Sequence, residues 1–149
     1  MKIKYLLCIG IISFTVTLLS GQSKEDTLAI TNTIKNYAEG FFEGNAERMD
    51  KALYEDLAKR WIYKNEKGET VINRMSAMQL YRMTKYRGET KNVNDPEELV
   101  KGIQIFHIHN DMASAYLSTE WFCDYIHLGR INGEWKIINV LWSRPDGDK

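Results

Sequence analysis

Apolar side chains recur at helical spacing in the first third of the chain. Ile30, Ile34, Tyr37 and Phe41 follow one another at steps of four, three and four residues, so they share one face of a helix. Gly44-Asn45 is typical of a helix end, because glycine readily adopts the left-handed backbone conformation found there. We therefore predict a first amphipathic helix that packs this face against a core.

Three further patterns follow this helix. The stretch AERMDKALYEDLAKR has helical spacing and predicts a second helix. Its inward side chains are predicted to be Met49, Ala52, Leu53 and Leu57. The stretch RWIYKNEKGETVIN holds two β-prone runs around residues 65–69, which predicts a hairpin. Ser76 and Gln79 form a capping box and predict a third helix to about Tyr86, closed by Arg87-Gly88.

The last third of the chain changes to strand-like patterns. We predict strands from about Leu99 to His109, from Ala113 to Leu128 and from Trp135 to Trp142. The middle strand is long enough that we expect a bulge or a strong bend within it. A turn is predicted at Asn110-Asp111, and Asn132-Gly133 suits a tight hairpin turn. Helices first and antiparallel strands last predict an α+β fold, with helices on one face of a curved sheet.

Both faces of the last predicted strand carry large apolar groups. Trp135, Ile137 and Leu141 alternate with residues that include Ile138 and Trp142. A sheet with one face in water would alternate more cleanly between apolar and polar residues. We therefore predict that the second face is covered, either by another subunit or by a curved continuation of the sheet. Homodimerisation through the sheet is the simpler interpretation.

The N-terminus has the layout of a secretory signal peptide. Lys2 and Lys4 precede an apolar run that is too short to span a bilayer comfortably, and small residues follow it. We predict a signal peptide over residues 1–21 and one domain over residues 22–149, with cleavage after Gly21 or Ser23. The protein would be periplasmic or secreted, with no membrane association after cleavage.

Composition narrows the classes of partner. Of the 20 basic residues, Lys2 and Lys4 would be lost on cleavage, which leaves 18 against 20 acidic residues and a net charge of about −2. The absence of a basic patch in the sequence argues against nucleic acid as a partner. Only Cys123 remains after cleavage, so the exported chain has no internal disulfide.

Four polar residues lie among the apolar residues of the last predicted hairpin: Asp124, Tyr125, His127 and Asn139. Pairing around Asn132-Gly133 brings Asn139 within one or two residues of the other three. In a cavity such groups would orient a ligand. Asp124 could also act as a general acid or base, with Tyr125 or His127 stabilising developing charge. Strand parity, however, places Asp124 opposite Tyr125 and His127 unless a bulge intervenes, so one of these faces could instead be rim or dimer interface.

Aromatic residues offer a possible wall for a flat ligand. Trp61 and Tyr63 alternate on a predicted strand, and with Tyr37, Phe41 and Tyr81 they could stack against a planar ring. Ordinary core packing is the simpler interpretation, because aromatic side chains dominate protein cores.

Histidines raise the question of a metal site. His107 and His109 share one face of a strand and could combine with His127, but the spacing does not fix a third ligand. We therefore predict no metal. We also predict no cofactor, because the sequence has no glycine-rich phosphate loop and no dinucleotide fingerprint.

Three segments carry a family resemblance: NYAEGFFEGNAERMDKALYEDLAKR, MSAMQLYRMT and DYIHLGRINGEWKIINVLW. On these segments the chain resembles the putative lumazine-binding family. That family is a branch of the nuclear transport factor 2-like superfamily, which also includes ketosteroid isomerases and SnoaL-like polyketide cyclases. The resemblance implies a cystatin-like cone, with three N-terminal helices packed on a strongly curved mixed or antiparallel sheet. It also implies a cavity between them and often a dimer.

Three hypotheses about function follow. The leading hypothesis is a non-catalytic binding protein that holds a small apolar or aromatic molecule, with Tyr37, Trp61, Asp124, Tyr125, His127 and Asn139 as candidate contacts. The second is a proton-transfer enzyme, such as an isomerase, cyclase or dehydratase, with Asp124 as general acid or base. The third is a dimeric interaction module whose cavity is filled by its own side chains.

Overall fold

The computed structural model describes residues 24–90 and 95–145, so the predicted signal peptide lies outside the described residues. Its helices are α1 (Lys24–Glu43), α2 (Ala46–Asp50) and α3 (Ala77–Thr90), with a short 3-10 helix at Pro96–Leu99. Its strands are β1 (Leu53–Lys64), β2 (Thr70–Met75), β3 (Val100–His109), β4 (Met112–Thr119), β5 (Cys123–Ile131) and β6 (Glu134–Ser143). Within this part of the chain, no helix is both long and apolar enough to cross a membrane.

The six strands form one mixed sheet in the order β2-β1-β6-β5-β4-β3. Strands β1 and β6 are parallel, and all other neighbours are antiparallel. The register shifts in three of these pairings, including one between His127 and Leu128, and such irregularities bend and twist a sheet. The helices pack on one face, which confirms the α+β prediction.

The core lies between α1 and this face of the sheet. Ile30, Ile34 and Tyr37 are almost fully buried, as the helical spacing predicted. From the sheet, Leu117, Ile126 and other alternate residues of β4, β5 and β6 face them. Because β-strand side chains alternate between faces, the same strands send their remaining residues to the opposite side of the sheet.

The predicted second helix is mostly wrong. Helix α2 ends at Asp50, and the chain enters β1 at Leu53. Leu53 and Leu57 are four residues apart, a spacing that fits one face of a helix as well as one face of a strand. Pairing of β1 with β6 on one side and β2 on the other decides between the two, so tertiary contacts override the local pattern.

The predicted long strand is divided into β4 and β5. The break lies at residues 120–122, where the Thr119 hydroxyl accepts hydrogen bonds from the amides of Trp121 and Phe122 and donates one to the Phe122 carbonyl. Helix α3 also continues through Gly88 to Thr90 rather than ending there.

Turn and cap predictions are confirmed. The Ser76 amide donates to the Gln79 side chain at 2.9 Å, and the Gln79 amide donates to the Ser76 hydroxyl at 3.3 Å. Asn132 and Gly133 have φ angles of 51° and 85°, the left-handed values that a tight hairpin turn requires. The β1–β2 hairpin also forms around residues 65–69.

Candidate functional site

Three buried polar side chains meet between α1 and the sheet. The Tyr37 hydroxyl donates to Oδ2 of Asp124 at 2.6 Å. Nζ of Lys59 donates to the Tyr37 hydroxyl at 2.6 Å and lies 3.1 and 3.0 Å from the two carboxylate oxygens of Asp124. Tyr37, Lys59 and Asp124 are only 2%, 5% and 0% exposed. We call these three residues the polar cluster.

Each residue of the polar cluster is placed by the periodicity of its own element. Tyr37 continues the apolar stripe of α1. Lys59 follows Leu57 at a spacing of two on β1, and Asp124 precedes Ile126 at the same spacing on β5. Both β1 and β5 neighbour β6, where Val140 pairs with Lys59 on one side and with Ile126 on the other. The amine and the carboxylate therefore reach each other across one intervening strand.

Burial shifts the ionisation of two members of the polar cluster. Burial raises the pKa of Tyr37 well above its ordinary value, and the charge of Asp124 raises it further. Burial lowers the pKa of Lys59, whereas Asp124 opposes that change by favouring the ammonium form. The Lys59 amine also lies 5.1 to 5.3 Å from the ring centroids of Tyr37, Phe122 and Trp142. Those ring faces compensate part of the cost of burying a cation.

A small apolar cavity of about 60 Å³ adjoins the polar cluster. Its lining residues are Tyr37, Phe41, Lys59, Met75, Leu80, Met83, Phe122 and Trp142. Two members of the polar cluster are thus part of its wall, whereas Asp124 is not. Met83 on α3 combines a place in the cavity wall with a side chain that is 40% exposed.

The predicted aromatic contacts are only partly at this cavity. Tyr37 and Phe41 line it. Trp61 is on the same sheet face but lies beyond the cavity, stacked on Trp142 with ring centroids 5.0 Å apart. Tyr63 stacks on Trp61 in turn, and Tyr81 donates instead to Glu47 on α2.

Tyr125, His127 and Asn139 lie on the opposite face of the sheet from the cavity. Tyr125 is 59% exposed, and Asn139 contacts both His127 and Arg60 there. The pairing of His127 with Asn139 is as the hairpin predicted, but both side chains point away from Asp124. The structure therefore does not bring all four side chains to one cavity, because no bulge separates Asp124 from Tyr125 and strand parity places the two on opposite faces.

The outer face of the sheet has its own concavity, with a volume of about 650 Å³. All three histidines of the chain, His107, His109 and His127, line it. His107 and His127 pair with the same residue, Ser114, from opposite sides, so a whole strand separates them. Among the described residues, no group of three metal-binding side chains is close enough to hold an ion.

Lys59 is the member of the site that the sequence analysis did not single out. It was placed in the predicted second helix, where a lysine is normally a solvated charge. The available signal was the alternation Leu57-Lys59-Trp61, which turns the lysine inward once this segment is assigned as a strand.

The fold is that of the nuclear transport factor 2-like proteins, a cystatin-like cone. An NTF2-like protein of unknown function from Silicibacter pomeroyi superposes with a TM-score of 0.62 at 15% identity, covering 83% of this chain and 99% of its own. One from Shewanella baltica gives 0.60 at 16% identity, covering 82% and 95%. An NTF2-like protein with a cystatin-like fold from Novosphingobium aromaticivorans gives 0.57 at 13% identity, covering 83% and 84%.

Residues 25–143 match the family described as putative lumazine-binding, and the chain belongs to that family. No functionally curated protein is detectably similar to the chain in sequence. The predicted cone and the predicted family are thus confirmed, and the solved structures contribute the fold alone.

Proposed function

We propose that this protein is a non-catalytic binding protein that holds a small, largely apolar or aromatic molecule in the cavity between its helices and its sheet. The observation that carries the proposal is a cavity walled by aromatic and methionine side chains, with the polar cluster at one side. Ligand sites commonly combine apolar walls with a few fixed polar groups. The family description, putative lumazine-binding, is consistent with a planar heteroaromatic ligand.

The cavity must enlarge to hold such a ligand. Its volume of about 60 Å³ is below the range of roughly 300–1,000 Å³ common for ligand pockets. Met75 and Met83 are the adaptable part of its wall, because methionine is unbranched and repacks easily. We propose that the ligand enters beside α3 by displacing the half-exposed Met83 side chain.

The non-catalytic form of the proposal rests on the position of Asp124. Both carboxylate oxygens are bonded to Lys59 or Tyr37, and Asp124 does not line the cavity. A general acid or base must lie within hydrogen-bond reach of the proton that it moves. In the enzymatic alternative, Asp124 would therefore have to act through Tyr37 or Lys59.

Native mass spectrometry of the protein purified gently from its own cells tests this function. We expect a discrete small molecule that is released on denaturation and that restores thermal stability when added back. A ligand present at a hundred times its dissociation constant should stabilise the protein by about 2.7 kcal/mol. A protein that is always empty, and that neither lumazine nor any apolar aromatic compound stabilises, would contradict the proposal and favour a self-filled interaction module.

We further propose that the protein is exported and that it forms a homodimer through the outer face of the sheet. Large apolar side chains are exposed on this face: Ile62, Phe106, Tyr125 and Leu141. Contiguous apolar surface of this kind often marks an interface. Phe106→Glu should give a monomer in size-exclusion chromatography with light scattering. Leu28→Glu, which changes an exposed apolar residue on α1, is the control and should not alter the mass.

A further inference from the structure

Lys59 combines three properties that a nucleophilic lysine needs. Its side chain is almost fully buried, it forms part of the cavity wall, and its amine is bonded to a carboxylate that can take its proton. A purely structural ion pair needs the first and third properties but not contact with a cavity. We infer that Lys59 captures an aldehyde or ketone ligand as a reversible imine, with Asp124 as its proton partner. This inference rests on the proposed function, because the carbonyl compound must occupy the same cavity.

The surroundings of Lys59 make the neutral amine accessible. Desolvation disfavours the ammonium form, and this is the largest influence on the pKa of Lys59, which is lowered. Asp124 lies 3.0 Å away, so the proton can pass to the carboxylate and leave a neutral amine beside a neutral acid. A buried pair without net charges avoids much of the desolvation cost of two separated ions. Desolvated lysines in apolar pockets are activated in this way.

The polar cluster contains every group that imine formation needs. After Lys59 passes a proton to Asp124, the amine lone pair bonds to the carbonyl carbon, and the C=O π electrons move to oxygen. One proton moves from nitrogen to that oxygen, and the Tyr37 hydroxyl, 2.6 Å from Nζ, is placed to relay it. The proton held by Asp124 then passes through the Tyr37 hydroxyl, 2.6 Å from Oδ2, to the carbinolamine hydroxyl, which leaves as water while the C=N bond forms. The products are an iminium ion beside a carboxylate, with no oxidant or reductant consumed.

The cavity wall defines the rest of the ligand. Phe122 and Trp142 flank the Lys59 amine, so a ring or short apolar chain attached to the carbonyl would pack against them. The accessible carbonyl compounds are therefore small aromatic or aliphatic aldehydes and ketones. Charged carbonyl compounds such as keto acids are excluded, because Lys59 is the cavity's only charged lining residue within the described chain and Asp124 already pairs with it.

Reductive trapping tests the inference directly. The intact protein is exposed briefly to benzaldehyde and sodium cyanoborohydride at neutral pH, and benzylated lysines are located by peptide mass spectrometry. We expect Lys59 to be benzylated ahead of exposed lysines such as Lys67, because the Lys59 amine is desolvated and lies beside a carboxylate that can take its proton. An unreactive buried lysine would instead be modified last, so labelling of Lys67 with Lys59 unmodified would overturn the inference.

Two controls separate this inference from the function on which it rests. Asp124→Asn keeps the shape but removes the group that returns a proton to the carbinolamine, so it should slow benzylation of Lys59 even though the amine is then more readily neutral; an unchanged rate in a folded variant would overturn the role of Asp124. Toluene has the same ring but no carbonyl group. If toluene stabilises the protein and benzaldehyde does not label Lys59, imine formation is wrong and the binding proposal stands. If neither compound has an effect, both fail.

Discussion

Removing the Lys59 amine should destabilise the protein far more than removing the whole polar cluster. Lys59→Met keeps the length of the side chain but leaves the carboxylate of Asp124, which is fully buried, with Tyr37 as its remaining partner in the cluster. Breaking a buried ion pair by deleting one partner costs about 3–5 kcal/mol, because the other charge is left uncompensated. Since domains are stable by only about 5–15 kcal/mol, this is a large share of the total.

Removing the whole polar cluster should have a different effect on stability, because no buried polar group of the cluster is left without its partner. In the triple variant Lys59→Met, Asp124→Leu, Tyr37→Phe, every group that loses a partner is itself replaced by an apolar one. Replacing a buried ion pair by apolar residues of similar volume is often neutral or stabilising by about 1–4 kcal/mol. A double variant, Lys59→Met with Asp124→Leu, would keep Tyr37 and leave its buried hydroxyl without its two partners in the cluster, which would cost about 1–3 kcal/mol of stability.

Urea unfolding at neutral pH, followed by circular dichroism, measures the free energies of unfolding of the wild type and these variants. We expect the single variant to be the least stable, and the triple variant to be at least as stable as the wild type. A loss below about 1 kcal/mol in Lys59→Met would be the value of an exposed ion pair and would refute the burial described here. A triple variant less stable than the single one would show that the polar cluster serves stability.

The remaining predictions concern the cavity mouth, the tyrosine and a helix contact. Met83→Trp should block ligand entry and lower the affinity measured in a fluorescence titration. Met78→Trp is the control, because Met78 is on the same helix but not in the cavity wall, and it should leave the affinity unchanged. Equal effects of the two variants would place the entrance elsewhere. Above pH 10 the unfolded state releases the Tyr37 proton and the folded state retains it, because its folded pKa is raised above 10.0. Stability relative to Tyr37→Phe should therefore fall by about 1.4 kcal/mol per pH unit in urea titrations, and a constant difference would contradict that shift. Gly44→Ala places a Cβ 2.1 Å from the backbone of α3 and should lower the free energy of unfolding by about 1–3 kcal/mol more than Gly68→Ala does. Gly68 is the matched control, because its φ is also positive but it has open space around it. Equal losses of stability on thermal unfolding would rule out the close contact.

Local sequence rules were sufficient for most of the fold. Capping at Ser76, the Asn132-Gly133 turn and the inward stripe of α1 depend on residues close together in the sequence, and each is confirmed. Errors occurred where distant contacts decide. Leu53 and Leu57 fit a helix as well as a strand, and only pairing with β2 and β6 makes this segment a strand.

The site was less accessible from the sequence for the same reason. Asp124 and Tyr37 were both identified as candidates, but nothing local indicates that they meet, because they are 87 residues apart. Lys59 was missed because its segment was assigned as a helix. Strand parity predicts that Tyr125 and His127 face away from Asp124, and the structure confirms it. The sequence does not indicate which of the two faces lines the cavity.

Methionine-methyl NMR tests ligand binding in the cavity most directly, because the chain has few methionines and they report on different surfaces. Met75 and Met83 line the cavity, Met78 is exposed elsewhere on α3, and Met112 lines the concavity on the outer face of the sheet. On titration with the ligand recovered from the native protein, or with lumazine, the Met75 and Met83 signals should shift while those of Met78 and Met112 stay in place. Shifts confined to Met112 would place the ligand on the outer face and contradict the account.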